Sequence, residues 1–255
     1  MTSERKDKIC TLLKGIETGD EASVAVVNPN MYIQHNPQTI EGGEGLAALF
    51  KRLSLTSPRV KIVRIFSDGD YVFGHTEYDF STSRVGFEVF RFEGDLTVEH
   101  WDNIQPRMGP NLSGHSMVDG NTQVTDLEKT ETNRSLIRKF VTEVLIDRNL
   151  EKLEMFVDSY AYTEHNPHLV DGVPSLRAAL EAQASRNVNH IQYSKLHKLL
   201  AEGNFVLAVC EGIRDGTHTS FYDLYRLDSN KIVEHWDTTE KVPPRNEWKN
   251  DNGKF

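Results

Sequence analysis

Tyr32-x-x-His35-Asn36-Pro37 returns as Tyr162-x-x-His165-Asn166-Pro167, and Val98-Glu99-His100-Trp101-Asp102 returns letter for letter as Val233-Glu234-His235-Trp236-Asp237. The two words recur in the same order at nearly the same spacing, so the chain is a duplication with a period the size of a domain, too long for a solenoid repeat. The repeated residues are polar and aromatic, unlike the apolar set that core packing alone would keep. They mark a candidate site built once in each half.

The rest of the chain reads outward from these words. In the first half Ile9, Leu12, Leu13 and Ile16 follow helical spacing, and Gly19-Asp20 stops that helix. In the second half Leu136, Ile137, Phe140, Val141, Val144 and Leu145 form one apolar stripe, and Leu150, Leu153, Phe156 and Val157 begin another. Each His-Asn-Pro word is followed by an acidic-Gly turn and a short helix around Leu46–Phe50 or Leu176–Leu180. The period then changes to two. Val60–Phe66, Tyr71–His75, Gly86–Phe92 and Leu96–Ile104 are predicted strands of the first half, and Ile191–Leu200, Phe205–Cys210, Ser220–Leu227 and Lys231–Thr238 are their counterparts. The expected boundaries are 1–108 for the first copy, 109–132 for a linker rich in Gly, Ser, Asn and Thr, 133–245 for the second copy and 246–255 for a loose tail.

Composition fits two small globular domains: of 255 residues, 38% are hydrophobic and 26% charged. A net charge of −9 disfavours a nucleic-acid or anionic-membrane partner. No apolar run is long enough to span a bilayer, and a cytoplasmic protein is expected. The two cysteines, Cys10 and Cys210, fall at non-equivalent places, which argues against a disulfide or a paired-Cys metal site.

Side chains two apart on a strand share a face. Val98, His100 and Asp102 therefore point one way, with Glu88 and Phe90 of the preceding strand; the second-half set is Val233, His235 and Asp237 with Asp223 and Tyr225. Glu99 and Trp101, like Glu234 and Trp236, point the other way, where Arg91 and Arg226 would pair with the glutamates. A carboxylate beside an imidazole on an apolar concave face has an adjustable pKa and suits proton transfer at a carbonyl compound. His35 and His165 either reach the mouth of that cavity or cap helix ends. Asp102 and Asp237 either orient a histidine or cap a turn. His115, His168, His190, His197 and His218 lack counterparts in the opposite half and are given no role.

The Tyr-x-x-His-Asn-Pro word, the acidic-Gly turn, Asp223-Leu-Tyr-Arg226 and Glu-His-Trp-Asp together resemble the SnoaL-like branch of the nuclear transport factor 2-like superfamily, over nearly all of both halves. The resemblance implies an α+β fold: two cone-shaped α+β barrels, each with helices on a strongly bent antiparallel sheet around a deep pocket. Family members include polyketide cyclases that close rings by acid–base chemistry without metal or cofactor; ketosteroid isomerase and limonene epoxide hydrolase are wider relatives. The family acidic residue falls on Asp223. Its first-half counterpart is Glu88, one methylene longer, and a strand histidine common in the family falls on His75, where the second copy has Val209.

The expected function is cofactor-independent acid–base catalysis of the aldol cyclase or isomerase kind on a small carbonyl or polyketide-like substrate. Asp223 or Glu88 would move the proton, His235 or His100 would tune that carboxylate, and His165 or His35 would gate or bind substrate. Tyr32, Tyr162, Asn36, Asn166, Phe90, Tyr225, His75, Asp102 and Asp237 complete the expected binding set, with no metal and no cofactor. The alternatives are a non-catalytic module that binds an apolar ligand or serves assembly, and a metal site built from His35, His100 and Glu88. Duplication with a short linker further predicts pairing of the two copies within one chain, with a homodimer of such chains possible.

Overall fold

The computed structural model describes residues 2–184 and 191–255; His190 lies outside the described residues. The chain divides into two compact units, Met1–Arg107 with Val242–Phe255, and Met108–Lys241.

In the first unit, α1 (Thr2–Thr18) ends at Gly19, and the Asp20 carboxylate caps the short 3-10 helix at Glu21–Val26 by accepting from the Ala22 amide. A two-residue strand, β1 (Ile33–Gln34), precedes α2 (Gly42–Ser54), and four long strands follow: β2 (Arg59–Asp68), β3 (Tyr71–Asp79), β4 (Ser83–Glu93) and β5 (Leu96–Pro106). They form one sheet in the order β1-β5-β4-β3-β2. β2 to β5 are antiparallel neighbours, whereas β1 lies parallel to β5. Ile9, Leu12, Leu13 and Ile16 of α1 pack with Leu46 and Phe50 of α2 against Val60, Val72, Tyr78, Phe90 and Phe92 of the sheet. The predicted apolar spacing thus fixes which helix face is buried.

The second unit repeats the plan. Its first helix, α3 (Thr130–Lys139), widens into a π-helical stretch at Phe140–Ile146. α4 (Leu153–Phe156), β6 (Thr163–Glu164), α5 (Val173–Ala184), β7 (Ile191–Glu202), β8 (Phe205–Arg214), β9 (Thr217–Asp228) and β10 (Lys231–Lys241) follow, with sheet order β6-β10-β9-β8-β7. Irregularities in pairing fall at equivalent places, between Arg91 and Phe92 in one sheet and between Ile232 and Glu234 in the other. Bulges of this kind bend a sheet and help it curl around a core. No helix among the described residues is long and apolar enough to cross a membrane.

Two stretches differ from expectation. Residues 109–132 are not a free linker: Asn111 is buried and its side-chain amide donates to the Glu164 carbonyl at 2.7 Å, Trp236 donates to the Asp119 carbonyl, and the Thr125 amide donates to Asn204. Residues 246–255 are not loose: Asn250 donates to the carbonyls of Asn36 and Thr39, and Lys254, 2% exposed, reaches Asp102. The Asn, Ser and Gly that read as linker chemistry instead cap backbone groups. The two segments also share a word, Asn111-Leu-Ser-Gly114-His115 and Asn250-Asp-Asn-Gly253-Lys254. Each follows one copy in sequence and packs within the other unit.

Candidate functional site

The two repeated words meet through the short parallel strands. Gln34 lies opposite His100 and Glu164 opposite His235, and the His35 and His165 amides donate to the His100 and His235 carbonyls. Alternation along these strands then sends the words' side chains to two faces.

On the outer face His35 stacks on Trp101 and His165 on Trp236, each with ring centroids 4.6 Å apart. Their Nε2 atoms sit 2.8 and 3.0 Å from Glu99 and Glu234, which also accept from Arg91 and Arg226 as the strand pattern predicts. His35 and His165 are therefore on the face opposite Glu88–His100 and Asp223–His235. There they bind the His-Asn-Pro word to the Glu-His-Trp-Asp strand. His75 is on the outer face too: its strand neighbour is Phe87, on which it stacks, while Gly74 faces Glu88, and its Nδ1 accepts from Arg64. The set His35, His100 and Glu88 does not converge.

On the inner face the remaining candidates do come together. In the first unit Glu88 accepts from the Tyr78 hydroxyl at 2.6 Å and lies 2.7 Å from His100 Nε2. His100 Nδ1 faces the Gln34 carbonyl oxygen at 3.0 Å, and Phe90 and Tyr32 stack beside the ring. Asp102 accepts from Asn36 at 2.8 Å and from the Lys254 ammonium at 3.2 Å. Burial raises the Glu88 carboxyl above its ordinary range in spite of His100. Burial pulls Asp102 upward as well, but Lys254 and then His100 outweigh it and hold that carboxyl low.

In the second unit His235 stands between two carboxylates: Nδ1 is 2.9 Å from Glu164 and Nε2 is 3.1 Å from Asp223. The Tyr162 hydroxyl donates to Glu164 at 2.6 Å and the Tyr193 hydroxyl to Asp223 at 3.2 Å, while Tyr225 stacks on the histidine. Burial works against the imidazolium, yet Glu164 and Asp223 together raise the His235 pKa well above its ordinary value. Asp237 lies directly across the strands from Asp223 and accepts from Asn166 at 2.9 Å. Burial raises the Asp237 carboxyl to about 6, because the charged neighbours oppose each other there and leave desolvation dominant. Asp223, His235, Asp237, Asn166, Tyr162, Tyr193 and Tyr225 line a cavity of about 70 Å³ closed by Phe140, Leu145, Ile191 and Phe221.

Sequence reading missed Gln34 and Glu164, which set the charge behind each histidine, as well as Tyr78, Tyr193 and Lys254. Gln34 and Glu164 occupy unspecified positions of the Tyr-x-x-His-Asn-Pro word. The signal available was a polar residue at the same place in both copies, differing only in charge.

No family model and no curated relative matches the sequence. Solved structures do match, one half at a time. An NTF2-like protein of unknown function from Cytophaga hutchinsonii is 20% identical, matching 48% of this chain and 95% of its own at a TM-score of 0.36. An LEH-like epoxide hydrolase from M. tuberculosis is 21% identical over 41% of this chain and 84% of its own, at 0.36. TsrD from Streptomyces laurentii is 18% identical over 40% and 89%, at 0.37. The chain is a tandem of two α+β units, each a five-stranded sheet with helices. Each unit brings a carboxylate–histidine pair to the inner face of its sheet, and the two pairs differ in what stands behind them.

Proposed function

We propose that the cavity of the second NTF2-like unit is the active site of an enzyme that moves a proton on a small, uncharged carbonyl compound, in the manner of an aldol cyclase or isomerase. One observation carries this reading: Asp223 and Asp237 sit side by side on neighbouring strands, both in the cavity, with the His235 imidazole 3.1 Å from Asp223. A buried carboxyl raised to about 6 beside a second carboxyl that faces an imidazole supplies an acid and a base for proton transfer. Asp223 takes the proton α to the carbonyl. The His235 imidazolium, held by Glu164, lowers the energy of the enolate that forms. Asp237, which keeps its proton up to about pH 6, supplies the hydrogen bond or proton at the carbonyl oxygen. The apolar wall and the two carboxyl groups disfavour an anionic substrate.

A binding role is the better reading of the first unit. There Glu88 is engaged by Tyr78 and His100, and Asp102 is neutralised by Lys254. Duplication of the fold also supports pairing of the two copies in one chain, which light scattering tests through the mass and compactness of the particle.

The test of catalysis is α-hydrogen exchange. A panel of small ketones and 1,3-diketones in deuterium oxide, followed by NMR, should show protein-dependent exchange of at least one member. Asp223→Asn should slow it by at least about 100-fold, the lower end of what general acid–base groups contribute. Equal exchange by wild type and Asp223→Asn would refute the assignment.

A further inference from the structure

We propose that His115, Asp119 and His165 of the second unit form a site for one divalent transition-metal ion, zinc being the probe of choice. Each offers one ligand atom, and these atoms lie within 4.8 Å of one another. Two imidazoles and a carboxylate are a donor set suited to zinc, nickel, cobalt or ferrous iron.

The surroundings match what a metal-bound histidine needs. His165 Nε2 faces Glu234 at 3.0 Å, and its Nδ1–H points at Asp119, 2.7 Å away, so Nδ1 is the nitrogen at which an ion would take the proton's place. A carboxylate behind a ligating imidazole fixes its tautomer and raises its basicity. His115 has the same support, with its Nε2 3.1 Å from Asp171. The Ser116 carbonyl, 2.8 Å from His165 Nδ1, offers a further oxygen. Asp119 is held by the Ser116 amide on its other oxygen, at 2.9 Å. Ligands about 2.0–2.1 Å from a tetrahedral ion stand about 3.3 Å apart, so the ion needs only a small opening between Asp119 and His165. The Asp119 side chain is 46% exposed and the His115 side chain 35%, which leaves both the room to adjust and a path for the ion. The ion would replace the proton between His165 and Asp119 and clasp residues 115–119 to the His-Asn-Pro word.

The first unit is an internal control. Its matching turn, Gly253-Lys254, has a lysine at the sequence position of His115, that ammonium goes to Asp102 instead, and His35 Nδ1 faces the Gly253 carbonyl. The other cluster of histidine and carboxylates among the described residues, Glu88, His100 and Asp102, is fully buried and already holds Lys254. One ion per chain is therefore expected, not two.

The experiment is calorimetric titration of the full chain, stripped with a chelator and desalted, with Zn²⁺, alongside Co²⁺ titration followed by visible absorption. One equivalent should bind with saturation and should produce d–d bands. His115→Ala and Asp119→Asn, both at the surface, should weaken binding by at least about 100-fold and abolish the bands, since even removal of an outer-shell partner costs 10–100-fold. Their metal-free melting temperatures report folding. His197→Ala, at the separate His197–Glu211–His218 cluster, should change nothing. No saturable binding, two equivalents, binding that survives His115→Ala and Asp119→Asn, or loss on His197→Ala would each overturn the proposal.

Discussion

Replacing Lys254 with Met tests whether the chain's end is part of the first unit. Lys254 is 2% exposed and its ammonium lies 3.2 Å from Asp102, itself 5% exposed. At an effective dielectric of about 20, unit charges at that distance attract by about 5 kcal/mol. Desolvation offsets most of that while both partners are present. Lys254→Met, however, leaves the Asp102 carboxylate buried with Asn36 and His100 for company, and breaking a buried pair costs about 3–5 kcal/mol. The pH dependence supplies the sign. In the native protein the Asp102 carboxyl is held below its ordinary value, so its contribution is present above the unfolded pKa, about 3.9, and is lost as pH falls through the folded one. Without Lys254 burial dominates and the folded pKa rises above the unfolded value. The penalty is then full at high pH and shrinks as pH falls and Asp102 takes up a proton. Urea unfolding followed by tryptophan fluorescence should show a loss of about 3–5 kcal/mol at pH 8 and clearly less at pH 5. Lys254→Met with Asp102→Asn should recover more than half of it, so that the two substitutions are far from additive. A change within about 0.5 kcal/mol, the size typical of surface positions, and flat with pH would refute the buried pair.

Other outcomes follow from the same geometry. Glu88→Gln should leave α-hydrogen exchange within about twofold of wild type while Asp223→Asn removes it, because the proposed chemistry belongs to the second unit. If Asp237 acts in its protonated form, exchange should decline as pH rises through about 6, and Asp237→Asn should remove that limb of the profile. Gly120 has φ +84°, and a Cβ there would stand 2.1 Å from Glu234 Oε1; Gly120→Ala should destabilise the second unit by at least about 1 kcal/mol in chemical denaturation. Asn111→Ala removes the donor to the buried Glu164 carbonyl and should cost about 1–3 kcal/mol; a change near zero would mean that residues 108–126 are detached in solution.

The strands and the two inner faces were legible because alternation has a period of two and the core demands one apolar face. Glu88 with His100, Asp223 with His235, and the outward placement of Trp101 and Trp236 follow from that rule alone. The positions of His35 and His165 did not follow, because they lie beyond two-residue strands too short to show any period. Their face is decided by pairing with β5 and β10, which is long-range. The same blindness hid Gln34 and Glu164. The burial of 109–132 and 246–255 was hidden by composition: Asn, Ser and Gly read as linker whether they meet water or cap buried carbonyls, and only tertiary partners separate the two cases.

Two differences between the copies' sites lie around the histidines rather than in them. Gln34 against Glu164 changes the group facing the imidazole Nδ1 from a neutral amide to a carboxylate at the same register position. Lys254 against His115 changes which inner carboxyl is neutralised: in the first unit an ammonium meets Asp102, whereas in the second His115 turns to Asp171 and Asp237 accepts from Asn166. Burial raises a carboxyl on β4 in the first unit, at Glu88, and on β10 in the second, at Asp237. A ligand whose polar atom is placed to meet one of them is misplaced for the other by the width of a strand. Exchanging the two backing residues, Gln34→Glu with Lys254→His in the first unit, should therefore lower the Glu88 carboxyl and raise Asp102, as NMR titration of the side-chain carboxyls would read. Unchanged titration of Glu88 and Asp102 in that double variant would show that burial, not the backing residues, sets the difference between the copies.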